Sequence, residues 1–232
     1  MNETEFLREQ VRTERRHMAE VRSALDSALT LQAAAMQTGP APGPAPGTAA
    51  VSVTGSAAAS MSHSNSAEFC GAAARYLVFI VQRFNAQDSI HCEQLRPRIS
   101  AADHPARQAL EDLTQTLQRS ALAIATLQAA LQASLAAPSG ASDTLRVACT
   151  RYLEFYRTEL ATRQNSLYPL LEQHYGAADW RRASLVDADS ILEERALYAA
   201  VRALLPPGVE LKSRGRPAPF ADDRPTRAEV AP

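Results

Sequence analysis

The chain has 232 residues, enough for one sizeable apolar core, with hydrophobic residues at 46% and charged residues at 21%. Its 24 basic and 25 acidic side chains leave no electrostatic footprint for nucleic acid or for an anionic membrane surface. No run approaches the ~18 apolar residues of a membrane span, and the charged N-terminus MNETEFLREQVRTERRH lacks the apolar centre of a signal peptide, so the expected compartment is the cytoplasm.

Alanine, leucine and arginine fill the periodic segments, Lys212 being the only lysine, and this mixture favours helix. A first helix is expected from Glu3 to about Met36, so that residues 1–36 form one unit. Leu7, Val11, Met18, Val21, Leu25 and Ala28 line one side of it. Glu14 falls inside that stripe, with Arg15 and His17 at its edges. Residues 37–66, TGPAPGPAPGTAAVSVTGSAAASMSHSNS at their heart, carry no periodicity and read as a flexible linker that includes His63.

A second helix is expected from about Ala67 to Leu95, with Phe69, Ala73, Leu77, Ile80, Phe84, Gln87, His91 and Leu95 at helical spacing. Its C-terminal half is interrupted by polar residues, Asp88 standing beside Gln87. After LRPRISAADHP, Asp103 is a plausible cap and Pro105 a first-turn proline. The third helix then carries Leu110, Leu113, Leu117, Ala121, Ile124, Leu127 and Leu131. His104 opens it as an exposed terminal residue.

A loop at Pro138, Ser139 and Gly140 leads to the fourth helix. Its inward stripe reads Leu145, Cys149, Tyr152, Tyr156, Glu159, Arg163, Leu167 and Leu170, so that two charges sit where apolar residues belong. Either each finds an opposite charge or a cation, because an isolated buried ion costs several kcal/mol, or the helix is rotated and both reach water. Pro169 kinks or interrupts this helix and Gly176 ends it; His174 near its end is a favourable cation there. A further helical segment, Ala183 to Leu205, stops at Pro206, Pro207 and Gly208, closing a unit over 67–208. Residues 209–232 read as a disordered tail. Cys70, Cys92 and Cys149 are odd in number, lack metal or redox spacing, and read as small core residues. The pattern as a whole predicts an all-α up-and-down four-helix bundle with an additional C-terminal helix.

The order of segments resembles the hemerythrin-like (HHE cation-binding) family in its bacterial single-domain form. The likeness rests on FYRTELATRQNSLYPLLEQHYGAADW, where Phe155, Tyr156, Leu167, Tyr168, Pro169, Asp179 and Trp180 match that family's closing signature, and on LRPRIS and ERALYAAVRALLPPG. The resemblance implies a non-haem di-iron pair held by histidines and carboxylates from four helices. At the matching positions this chain departs: Glu159 stands for histidine and Arg163 for glutamate on the fourth helix, Leu117 for histidine on the third, and Arg15, or His17 two residues on, for histidine on the first. On the second helix either Gln87 and His91, or positions near Asn85 and Ser89, replace the ligands. Guanidinium offers no lone pair and repels a cation. Glu14, His17, Asp88, His91 and Glu159 remain as donors for a reduced mononuclear site. The favoured expectation is that the Glu159–Arg163 pair, joined by Glu14, Arg15, Asp88 and His91, replaces the metal by a charge-compensated network. The protein is then a non-catalytic interaction or regulatory module without a cofactor, its protein partner unidentified. The alternative is non-haem iron with an altered ligand set, serving oxygen, nitric-oxide or iron handling. No catalytic constellation, phosphate loop or nucleophile elbow appears.

Overall fold

The computed structural model describes residues 3–37, 54–136 and 138–212, and it is all-helical over them, with no strand. In chain order the helices are α1 (Glu3–Gln37), α2 (Thr54–Leu95), α3 (His104–Ala136), α4 (Pro138–Phe155), a π-helical turn (Tyr156–Leu160), α5 (Ala161–His174), α6 (Ala177–Ala183) and α7 (Ala188–Ala203). The segments α4, π-turn and α5 form one continuous rod. Helix α1 packs on α2, α2 on α3, α3 on α4 and α5, and α1 on α4, while α7 lies against α1 and α2.

Each long helix forms because its apolar residues recur on one face and are taken out of water there. On α2 the whole expected stripe is buried, from Phe69 through Phe84, Gln87 and His91 to Leu95. On α3 the buried set is Leu110, Leu113, Leu117, Ile124, Leu127 and Leu131, and each such leucine contributes roughly 2 kcal/mol. Ser120, not Ala121, is the inward residue between Leu117 and Ile124, because it pairs with Asn85 across the core. Asp103 caps α3 by accepting from the Ala106 amide at 3.1 Å.

Several boundaries differ from the sequence reading. Helix α2 opens at Thr54 and not at Ala67: the run SAAAS is as helix-prone as it is linker-like, and alanine propensity prevails over the glycine beside it. The heart of the expected linker, 38–53, and the tail beyond Lys212 lie outside the described residues. Helix α5 continues through the exposed Pro169 to His174, and a separate short helix, α6, carries Trp180. The last segment is helical only from Ala188, where Asp187 caps the Ser190 amide at 2.7 Å. Beyond α7, Gly208 at φ 81° turns the chain back so that Val209, expected in the tail, is buried against the core.

The buried apolar residues fall into two clusters. One holds Val21, Leu25, Phe69, Leu77, Ile80, Phe84, Ile124 and Tyr152; the other holds Leu95, Leu113, Leu117, Leu160, Leu167, Leu171 and Trp180. Arg98 of the LRPRIS segment ties the second cluster to α6 through a bidentate pair with Asp179, at 2.9 and 2.6 Å, and donates to the His174 carbonyl at 2.9 Å. This guanidinium, with the Gly176 amide at 2.9 Å, holds the Asp179 carboxyl well below the usual carboxylate range. All three cysteines are free and buried; burial pushes Cys70 up to about 11 and Cys92 up to about 12, so neither is an available thiolate at neutral pH.

Candidate functional site

Set among the residues of the two apolar clusters is a group of buried polar and charged side chains from α1, α2, α3, α5 and α7, referred to below as the layer. Glu14 is fully buried; its Oε1 accepts from Gln10 Nε2 at 2.9 Å and its Oε2 from Arg83 of α2. One residue on, Arg15 donates to Asp88 Oδ1 at 3.1 Å, with its guanidinium 4.3 Å from the Phe84 ring and 4.7 Å from the Tyr168 ring. The other oxygen of Asp88 accepts from Gln164 Nε2 at 3.0 Å. Burial pushes the Asp88 carboxyl up; Arg15 and Gln164 pull against that, and both oxygens act as acceptors, as an ionised carboxylate requires.

A second pair of contacts lies toward α7. Fully buried Glu194 takes hydrogen bonds at Oε1 from Tyr76 Oη and from His17 Nδ1, both 2.9 Å. The His17 ring stacks on Tyr198 at 3.9 Å with the planes 8° apart, and Tyr198 in turn donates to Glu20. Desolvation, then Glu194 itself, pushes the Tyr76 phenol far up, so it remains a donor. Arg22 is buried and donates to Tyr152 Oη at 3.2 and 2.8 Å, with its guanidinium 3.5 Å from the Tyr156 ring. Of the three buried acids, Glu14 and Asp88 are each paired with a half-buried arginine, Arg83 and Arg15, whereas Glu194 accepts from Tyr76 and His17, and the buried Arg22 faces Tyr152.

His91 completes the layer as an uncharged group. Gln87 Nε2 donates to its Nε2 at 3.4 Å, its Nδ1–H faces Tyr175 Oη at 3.2 Å, and Tyr175 donates to Gln94 Oε1 at 2.9 Å. That relay needs the neutral imidazole with its proton on Nδ1. Burial first, and Arg15 second, bring the His91 pKa down to about 4.

The fourth-helix pair lies elsewhere. Glu159 and Arg163 are on the outer rim, their side chains 34% and 37% exposed and 3.9 Å apart; Glu159 makes its closer contact, 2.5 Å, with Arg119 of α3. The inward positions are Leu160, Gln164, Leu167 and Leu171. The π-turn is the cause: its wider turn adds one residue between Tyr156 and Leu160, so every later position rotates by about one residue's angle. Of the expected network, Glu14, Arg15, Asp88 and His91 are brought together inside, and Glu159 and Arg163 are excluded. Asn85 pairs with Ser120 at 2.9 Å, Ser89 bonds back to the Asn85 carbonyl at 2.8 Å, and Leu117 is plain core.

Sequence reasoning missed Arg22, Arg83 and Glu194. A signal existed for two of them. Arg22 lies seven residues after Arg15, two helical turns along the same face, and Glu194, Tyr198 and Val201 keep the four-then-three spacing of a buried stripe.

As a metal centre the layer fits poorly. Among the described residues no group of three His, Cys, Asp or Glu side chains is placed to hold a metal ion; both oxygens of Glu14 and of Asp88 already accept a hydrogen bond, and Glu194 accepts two at Oε1 and none at Oε2. At Glu14 and Asp88 a divalent ion would have to displace Arg83 and Arg15, whose guanidinium groups repel it. Among the described residues no helix is long and apolar enough to cross a membrane. No family model, curated protein or solved structure matches the chain.

Proposed function

We propose that this protein is an up-and-down four-helix bundle of hemerythrin-like architecture in which an arginine–carboxylate layer occupies the place of a metal centre. It acts as a non-catalytic interaction or regulatory module. One observation carries the reading: two of the three buried acids, Asp88 and Glu14, are each answered by an arginine. Arg15 and Arg83 engage them directly, on the α1 and α2 faces where the family places ligands.

Physical chemistry supports a scaffolding role for this arrangement. Ligand positions in a catalytic or carrier bundle must present free lone pairs and leave room for substrate; here each oxygen of Glu14 and Asp88 already accepts a hydrogen bond, and His91 is stacked edge-on against Tyr175 and Trp180 at 5.4 and 5.7 Å. The meeting of Arg98 from LRPRIS with Asp179 from the closing Asp-Trp supports the architecture, because two of the stretches that carry the resemblance form one ion pair. The test is metal content. Protein purified from iron-supplied cells is expected to be colourless, to hold iron far below one atom per chain, and to keep its Tm in a chelator. Stoichiometric, tightly held iron would overturn the proposal.

A further inference from the structure

Two of the three free cysteines share one apolar cluster. Cys70 of α2 is 4% exposed and Cys149 of α4 is fully buried, whereas Cys92 lies in the other cluster. Helices α2 and α4 stand diagonally across the bundle, yet residues of the two come within 8 Å of each other, Cα to Cα. Ala73 and Ala74, one turn along from Cys70, and Ala148 beside Cys149 are small and buried, so little bulk separates the two backbones there. The thiols feel each other and the same turn of α4. After burial, Cys70 is the group that raises Cys149; Arg146, one turn before Cys149, is the group that pulls Cys70 back against its own burial.

We infer that Cys70 and Cys149 are a latent disulfide, a redox-sensitive tie between α2 and α4 that a hydroperoxide closes. A disulfide spans Cα separations of roughly 4.4–6.8 Å, so helices already within 8 Å need at most a small further approach. The surroundings order the two thiols. Cys70 is the less deeply covered and has the Arg146 guanidinium to favour its thiolate, so it reacts first. Its sulfur attacks one oxygen of the peroxide, the O–O bond breaks, hydroxide leaves to take up the proton Cys70 lost, and Cys70 becomes a sulfenic acid. The Cys149 sulfur then attacks the Cys70 sulfur, the S–O bond breaks, and the departing hydroxide takes the Cys149 proton. The net reaction converts two thiols and one peroxide into a disulfide and two waters. Burial pushes Cys70 up to about 11, so at neutral pH the tie closes slowly and answers sustained exposure to oxidant. Cys92, pushed up to about 12 and with no second cysteine in its cluster, stays a thiol. Neither Cys70 nor Cys149 belongs to the charged layer, so the tie does not depend on whether that layer excludes a metal.

The test holds the full chain in about 10 mM hydrogen peroxide at pH ~8.5, removes the peroxide with catalase, unfolds the protein in N-ethylmaleimide and maps its peptides by mass spectrometry. The expected product is a peptide linking Cys70 to Cys149, with the maleimide on Cys92 alone; dithiothreitol before alkylation returns all three sites. The Cys70 thiol is expected to disappear about tenfold faster than the Cys92 thiol. Because the link closes a loop of about 80 residues, the oxidised protein is expected to melt at least about 5 °C above the reduced one. Cys149→Ala removes the second sulfur, so no link forms and dimedone captures Cys70 as the sulfenic acid. Cys92→Ala cross-links as the wild type does. Circular dichroism checks that both variants fold, and the wild-type map decides without them. Absence of the linked peptide overturns the inference; so does its formation only in urea, a link through Cys92 in equal yield, or a melting temperature lowered by the bond.

Discussion

Replacing Asp88 with alanine strands the Arg15 guanidinium. In the native protein that cation is held 3.1 Å from Asp88 and between two aromatic rings, and its side chain is only 14% exposed. Without the acid the stacking remains but the counter-charge does not, and Gln164 loses its acceptor as well. Breaking a buried pair from one side costs about 3–5 kcal/mol, and the residual access of Arg15 to water places this case near the lower end, about 3 kcal/mol. For a chain of this size that is a fall in Tm of roughly 6–12 °C. The comparison that isolates charge is Arg15→Met/Asp88→Leu, which removes both partners at similar volume and is expected to lie within about 1 kcal/mol of the wild type or above it. Urea unfolding followed by circular dichroism measures both. If the double variant loses as much as Asp88→Ala, the cost is one of packing and the reasoning from a stranded cation is refuted.

Three further outcomes follow from the geometry. His91 titrates at about 4 in the folded protein, below the ~6.5 of a free histidine, so the unfolded chain takes up the proton first. Its stabilising contribution is complete above pH ~6.5 and is lost as the pH falls from there toward 4, at most about 3 kcal/mol; His91→Gln should flatten that acid limb in unfolding titrations, and an unchanged slope would assign it to other groups. Glu159→Ala removes only the rim contacts with Arg119 and Arg163 and is expected to shift stability by about half a kcal/mol or less, whereas a loss near 3 kcal/mol would return Glu159 to the interior. Deleting exposed Thr158 takes out the extra residue of the π-turn and leaves both flanks in register, so the variant should stay folded; deleting Arg151 turns buried Tyr152 outward and should cost far more stability in the same thermal scan.

On α2 and α3 the helical period was a sufficient guide, even through the polar Gln87 and His91. The stripes of α2 and α3 appear in the fold nearly residue for residue, because a face that buries leucine at every turn has one low-energy orientation. Helix α4 obeys the same rule as far as Tyr152. Beyond it a uniform 3.6-residue period is the wrong ruler: nothing in YRTEL announces a π-turn, whose position is settled by packing once Leu160 and Gln164 compete with Glu159 and Arg163 for the interior. The result is the less costly choice, one neutral amide inside instead of two ions. The buried layer was half legible. Glu14 and Asp88 stood out because each breaks an apolar stripe, but which arginine answers which acid depends on how helices face one another, and periodicity within a helix is silent on that. Glu194 shows the same limit, since its partners His17 and Tyr76 lie 177 and 118 residues away.

The polar layer also bears on how these helices find one another. Alanine and leucine repeat so evenly in α3 that sliding it by one turn would bury nearly as much apolar surface as the native alignment. The cross-links between helices break that degeneracy. Glu14 to Arg83 and Arg15 to Asp88 set α1 against α2; Asn85 to Ser120 sets α2 against α3; Arg22 to Tyr152 sets α1 against α4; His17 to Glu194 sets α7. A one-turn slip moves each donor about 5.4 Å from its acceptor and leaves several buried charges unanswered at once. The layer adds little net stability as ion pairs, yet it makes every misaligned packing expensive, so a single alignment of otherwise interchangeable helices survives.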